Sequence, residues 1–251
     1  MRGAVRGLGE LLITVGMVVV LFVGYEVYVT DWLSAGKQAD ATDALERQWR
    51  DPRTVDRPFE GDGIARLYVP AFGPDFDFTV LQGTGRDVLA VGPGHYPDTA
   101  MPGQPGNFAV AGHRIGKGAP FNDLDLLASC DALVVETRET WFVYRVLPLE
   151  NEAAGWAAGK GAQPQCRGVA PLPVPYLDVP GRQIVLPSQR EVIDPVPWQP
   201  GAPLPPEQLQ RLITLTTCHP EFSARQRMII HGVLVAQYPK GGQRPAELIR
   251  G

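Results

Sequence analysis

The heptapeptide Thr214-Leu215-Thr216-Thr217-Cys218-His219-Pro220 reads as a β-strand that ends on a cysteine. With a strand's period of two, Ile213 and Leu215 fall on one face, and Thr214, Thr216 and Cys218 on the other. The apolar face belongs to a core. The cysteine is carried to the opposite face at the strand's end, where Pro220, lacking an amide donor, stops the ladder.

Two further segments share this design. In Asn107 to His113, Phe108 and Val110 point one way, and Ala109, Ala111 and His113 the other. The small side chains leave open floor beside His113, which assigns Ala111 to a substrate groove. In Arg225-Gln226-Arg227-Met228-Ile229-Ile230-His231, Met228 and Ile230 take the core face, so Arg227 and Ile229 share the other. Three neighbouring strands of this kind bring His113, Cys218 and Arg227 together outside one barrel.

Acyl transfer needs these three residue types. A thiol is intrinsically nucleophilic but mostly protonated near neutrality, with an unperturbed pKa of about 8.5. A histidine accepts its proton and returns one to a leaving amine. An arginine donates hydrogen bonds to the negative oxygen that develops. Singly, each residue has an ordinary structural role: an inert buried thiol, a hydrogen-bonded strand histidine, a surface ion-pair arginine. Metal binding by Cys218, His219 and His231 is disfavoured, because strand neighbours point oppositely and the spacing fits no common zinc pattern. No cofactor motif is present.

Outward from these segments, strand-like runs recur at Ile64–Val69, Phe78–Leu81, Ala132–Glu136, Trp141–Val146 and Arg182–Pro187, with a helical turn at Asp123–Ala128. Glycine (28) and proline (25) punctuate them, so the expectation is an all-β barrel or sandwich of eight or nine short strands. Residues 150–181 break the rhythm with five prolines, Cys166 and no hydrophobic period, and read as a long loop or insertion. A net charge of −4 argues against a nucleic-acid partner.

The N-terminus differs in kind. Leu11 to Tyr25 carries no charge, and apolar character resumes at Val27, Tyr28 and Val29 after Glu26. Leu11 to Thr30 is about 20 residues, enough to cross a bilayer as a helix. Tyr25, Tyr28 and Trp32 cluster where an interface would lie, and Arg2 and Arg6 place the N-terminus in the cytoplasm. A cleaved signal peptide is the alternative, with Ala39-Asp40-Ala41 as its site, although that lies roughly ten residues beyond the apolar run. The expected organisation is an anchor over 1–30, a polar stalk over 31–58 with a short helix at Ala39–Arg50, a catalytic domain over 59–240, and a tail over 241–251.

Taken together, the motifs resemble the sortase family, and most closely its class E members. Thr214 to Cys218 matches the family's Thr-Leu-x-Thr-Cys signature, Gly112-His113-Arg114 its histidine strand, and Arg227 its arginine before an apolar strand. Gly92-Pro-Gly-His-Tyr96, continuing through Pro102-Gly-Gln-Pro-Gly-Asn107, is similar too. The resemblance implies a closed eight-stranded β-barrel with short helices and an active site in an outer groove. It implies cleavage of a C-terminal sorting signal between Thr and Gly, a thioacyl-enzyme at Cys218, and transfer of the secreted protein to a peptidoglycan-precursor amine. His113 would be acid/base, and Arg227 would position substrate or stabilise the oxyanion. Tyr96 would favour a Leu-Ala-x-Thr-Gly signal, and Thr217 would help shape the substrate site. The insertion at 150–181 departs from the family pattern, which passes from the strand at Tyr144 to Ile184–Pro187 with little between.

Two other classes fit parts of this pattern: a cell-surface cysteine protease resolving the same acyl-enzyme with water, and a non-catalytic surface barrel. If the body lies outside the membrane and Cys218 stays free, Cys130 and Cys166 remain to pair. Two unrelated free thiols are the alternative.

Overall fold

A computed structural model describes residues 2–25, 30–51, 58–199, 201 and 204–249. Glu26, Val27, Tyr28 and Val29, read above as the end of the membrane segment, lie outside the described residues. Nine strands form one sheet: β1 (Gly63–Tyr68), β2 (Asp77–Gln82), β3 (Gly94–His95), β4 (Gly106–Ala111), β5 (Ala132–Glu136), β6 (Thr140–Val146), β7 (Arg182–Val185), β8 (Arg211–His219) and β9 (Gln226–Pro239). Eight of them close a ring in the order β6-β5-β1-β2-β3-β4-β8-β9, with β9 returning to β6. The remaining strand, β7, hangs on β9 outside the ring. Pairing is antiparallel except for β2–β3 and β4–β8. The expected all-β, eight-stranded barrel is the fold.

The alternation of side chains places the core. Ile213 and Leu215 of β8, Phe108 and Val110 of β4, and Met228 and Ile230 of β9 all meet inside the barrel. β9 changes partner half-way along: Arg227 to Ile230 pair with β7, and Gly232 to Pro239 with β6. Gly232 sits at that change, where a β-carbon would lie 3.0 Å from the Arg145 carbonyl oxygen and 2.9 Å from Ile213. A side chain there would push the ring open. β3, unforeseen in a stretch crowded with glycine and proline, survives with two residues because buried His95 anchors it. That imidazole bonds Gln82 Oε1 at 2.9 Å and the Ala100 carbonyl at 3.1 Å.

Two helices precede the barrel, α1 (Arg2–Gly24) and α2 (Thr30–Arg50). Within α1, Val5–Gly24 has a mean hydropathy of 2.2 and none of it is buried against protein, so it is long and apolar enough to cross a membrane. α2 is longer than the short helix expected at Ala39–Arg50, and it is not a free spacer. Leu45 is buried against Gly63, and the Gln38 carboxamide brackets the Thr79 backbone, donating to its carbonyl at 3.1 Å and accepting from its amide at 2.9 Å. These contacts clasp the helix onto β1 and β2. Its low overall hydrophobicity hid this docking, which uses polar side chains as much as apolar ones.

The insertion is folded rather than structureless. Its Tyr176 and Val179 join Leu147, Val196, Leu212 and Val233 in a second apolar layer outside the barrel. Beside this layer runs a buried polar chain: the Thr214 hydroxyl reaches Asn107 Oδ1 (2.7 Å) and His231 Nδ1 (2.8 Å), and His231 Nε2 meets Gln183 (2.9 Å). Burial lowers the His231 pKa to about 3, so this imidazole is neutral and structural. Cys130 and Cys166 form a disulfide with α-carbons 5.0 Å apart, packed with Trp156 and Val169. The bridge closes a sequence separation of 36 residues. Constraining that loop in the unfolded chain stabilises the fold by roughly 2–4 kcal/mol. Alkylation of unreduced, denatured protein is expected to label Cys218 alone; labelling of all three cysteines would disprove the bridge.

Candidate active site

The site is assembled by register. β4 and β8 run parallel with Ala111 level with Thr216. The ladder continues one step further: the Gly112 amide donates to the Thr216 carbonyl at 3.0 Å, and the Thr217 hydroxyl donates to the Gly112 carbonyl at 2.8 Å. Continued at that pace, His113 comes level with Cys218. On the other side, antiparallel β9 sets Arg227 directly opposite Cys218. Directly opposed residues hold their β-carbons about 4.5–5.5 Å apart. Register thus sets Cys218 opposite Arg227 on one side and level with the continuation of β4 at His113 on the other.

The environment of each group suits acyl transfer. Cys218 is half-buried and is the free cysteine among the described residues. His113 is half-buried too, and its Nε2 atom has no hydrogen-bond partner among the described residues. Burial, and secondarily the Lys117 charge, lower its pKa below 6.5, so at neutral pH the ring is an uncharged proton acceptor. Arg227 Nη1 donates to the carbonyls of Ala224 (3.1 Å) and Gln226 (3.0 Å), which steadies the turn between β8 and β9. Arg225 lies exposed before β9 begins.

A cleft of about 270 Å³ opens beside these residues, lined by Tyr96, Thr216, Arg227, Ile229, Val185 and Arg190 among others. The Tyr96 hydroxyl lies 3.0 Å from Thr216 Oγ1, so the tyrosine is pinned to the strand that carries the cysteine. Ala111, paired with Thr216, is almost fully buried. Thr217, read as helping to shape the substrate site, faces away from this cleft. It is 2% exposed and its hydroxyl is turned to the Gly112 carbonyl, so it ties β4 to β8 instead of lining the cleft. Thr216, although buried too, lines the cleft, and the period of two already places it on the same face as Cys218. Arg190 has no sequence signal, because it comes from a short 3₁₀ turn, Arg190–Ile193, that tertiary packing brings over the groove.

A family model described as a sortase domain matches residues 67–235. The chain belongs to the sortase family. Sortase SrtE1 of Streptomyces coelicolor is 33% identical over 254 residues, covering 98% of this chain and 61% of that protein. The chain therefore spans about three-fifths of the length of that relative. Among solved structures, the SrtF sortase of Corynebacterium diphtheriae superposes with a TM-score of 0.66 and 42% identity, covering 80% of this chain and 98% of that one. Sortase E of Streptomyces avermitilis gives 0.55 and 34%, with coverages of 76% and 99%. These similarities make the protein a class E-like sortase, and the sortase family is one of cysteine transpeptidases.

Proposed function

We propose that this sortase is a membrane-anchored transpeptidase that uses Cys218 to cleave a Leu-Ala-x-Thr-Gly-like sorting signal between Thr and Gly and to transfer the secreted protein to a cell-wall amine. The observation that carries the reading is the placement of Cys218 between His113 and Arg227 on an outer face that opens into the Tyr96 cleft. Cys218 Sγ attacks the threonine carbonyl carbon, and His113 takes the thiol proton. Arg227 exchanges its backbone contacts for the tetrahedral oxyanion, a donation worth roughly 3 kcal/mol in comparable sites. The C–N bond then breaks, the glycine amine leaves with the proton from His113, and a thioester remains. An acceptor amine attacks that thioester, yields its proton to His113, and restores the thiol.

Tyr96 and Thr216 form the wall that would discriminate the second residue of the signal. The apolar helix α1, with Arg2 and Arg6 at its start, would hold the N-terminus in the cytoplasm and the barrel outside. Mass spectrometry of residues 30–251 incubated with a Leu-Ala-x-Thr-Gly peptide and a glycine amine tests the reading. A ligated product and a thioacyl adduct on Cys218 are expected. Free threonine acid alone would make the protein a protease, and an unchanged peptide would leave a binding barrel.

The rate should also depend on pH in a definite direction. The active pair shares one proton between thiol and imidazole, and on the acid side both groups are protonated and transfer stops. Because burial lowers the His113 pKa, the acid limb of kcat/KM should lie below pH 6.5. A limb above 6.5 would contradict the buried, uncharged imidazole.

A further inference from the structure

Arg114 follows His113, just past the end of β4, and His219 follows Cys218 as the last residue of β8. There they meet. Arg114 Nη1 donates to His219 Nδ1 at 2.9 Å, while Nη2 lies 3.2 Å from Asp125 and 3.5 Å from Glu221. The guanidinium is 95% buried and its charge is offset by the two half-exposed carboxylates. Among the described residues, the backbone bonds between β4 and β8 end at Gly112 and Thr216, one residue short of His113 and two short of Cys218. The Thr217 hydroxyl, bonded to the Gly112 carbonyl, adds a side-chain tie at the residue before each reactive side chain, and the Arg114–His219 bond is the tie on their far side.

We infer that Arg114 is a positioning residue for the reaction: through His219, Asp125 and Glu221 it holds the segment carrying His113 at a set distance from the segment carrying Cys218. The inference rests on the assignment of those two residues proposed above. The geometry explains why an arginine is needed. One planar head must serve an imidazole nitrogen with Nη1 and two carboxylates with Nη2, and these partners come from the end of β8, from the β8–β9 turn and from the 3₁₀ turn Leu124–Leu126. A lysine offers one compact ammonium and cannot fork in this way. The bond also sets the His219 tautomer, since an Nδ1 that accepts from arginine leaves the proton on Nε2. Glu221 is held in the same contact, so the turn that carries it away from the nucleophile is tied to the His113 segment as well. If the tie is lost, both reactive side chains stay attached to sound strands, but their segments are held on one side only, by the ladder and the Thr217–Gly112 bond. A misplacement of about 1 Å costs on the order of 100-fold in rate.

The test compares wild type, Arg114→Gln, Arg114→Lys, His219→Ala and the double variant Arg114→Lys/His219→Ala, with thermal melting recorded for each. With the sorting-signal peptide and glycine amine, Arg114→Lys and His219→Ala should each lower kcat roughly tenfold to 100-fold while KM moves less than about twofold. The double variant should be no slower than the worse single one, because both changes cut the same tie. His219→Ala removes only the acceptor from a half-buried position, so it answers the question even if Arg114→Gln does not fold. Wild-type kcat in a folded Arg114→Lys or His219→Ala variant would overturn the inference, as would additive losses in the double variant. Cys218→Ala, measured alongside, tests the nucleophile separately: its loss of turnover upholds the proposed function whatever the Arg114 and His219 variants do.

Discussion

Cys218→Ala should abolish both cleavage of the sorting signal and transfer to an amine, a loss of roughly 10⁴-fold or more, on the scale seen when a covalent nucleophile is removed. In the proposed mechanism the thioester forms on Sγ, and neither His113 nor Arg227 supplies a substitute. The fold should survive. Cys218 is half-buried at the outer end of β8, and its loss opens no cavity in the barrel, so the change in unfolding free energy should stay within about 1 kcal/mol. Peptide consumption and ligation followed by mass spectrometry, beside a melting curve, decide the matter. Transfer by folded Cys218→Ala protein would mean that another residue is the nucleophile.

Arg227→Ala should cost roughly 10²–10³-fold in kcat, the range observed when one oxyanion donor is removed. Arg227→Lys should fail nearly as badly, because the lysine head cannot keep a fork of donors between the turn carbonyls and a developing oxyanion. Arg225 has the same strand parity, so sequence alone leaves two candidates. The pairing separates them: Arg227 stands opposite Cys218 and lines the cleft, whereas Arg225 precedes β9. Arg225→Ala should therefore stay within about twofold of wild type. Steady-state kinetics on the three variants tests this, and full activity in Arg227→Ala with loss in Arg225→Ala would reverse the assignment.

Much of this architecture was legible because β-structure writes itself in a period of two. Phe108 and Val110, Ile213 and Leu215, and Met228 and Ile230 declare which face is core, and His113, Cys218 and Arg227 must then lie on the other. What alternation does not carry is depth beyond the sheet. Thr217 and Thr216 are adjacent threonines of equal propensity, and only their partners, the Gly112 carbonyl and the Tyr96 hydroxyl, tell a strand tie from a cleft wall. The insertion at 150–181 has no periodicity because it packs on the barrel through scattered single residues, Trp156, Tyr176 and Val179, and is secured through Cys166.

By itself, the sequence determined the all-β class, the face of each central strand, the three residues proposed to react and the apolar N-terminal helix. These follow from local rules: side-chain alternation, the missing amide of proline, and the length of an uncharged run. Only the tertiary structure decided that α2 is docked on β1 and β2, that Arg190 reaches the cleft, and that Arg114 joins the turn after Cys218 to the segment after His113. Gln38 and Thr79 are 41 positions apart, and Arg114 and His219 are 105 apart. A chain records no local pattern for such meetings, because they depend on where the closed ring of strands brings its loops.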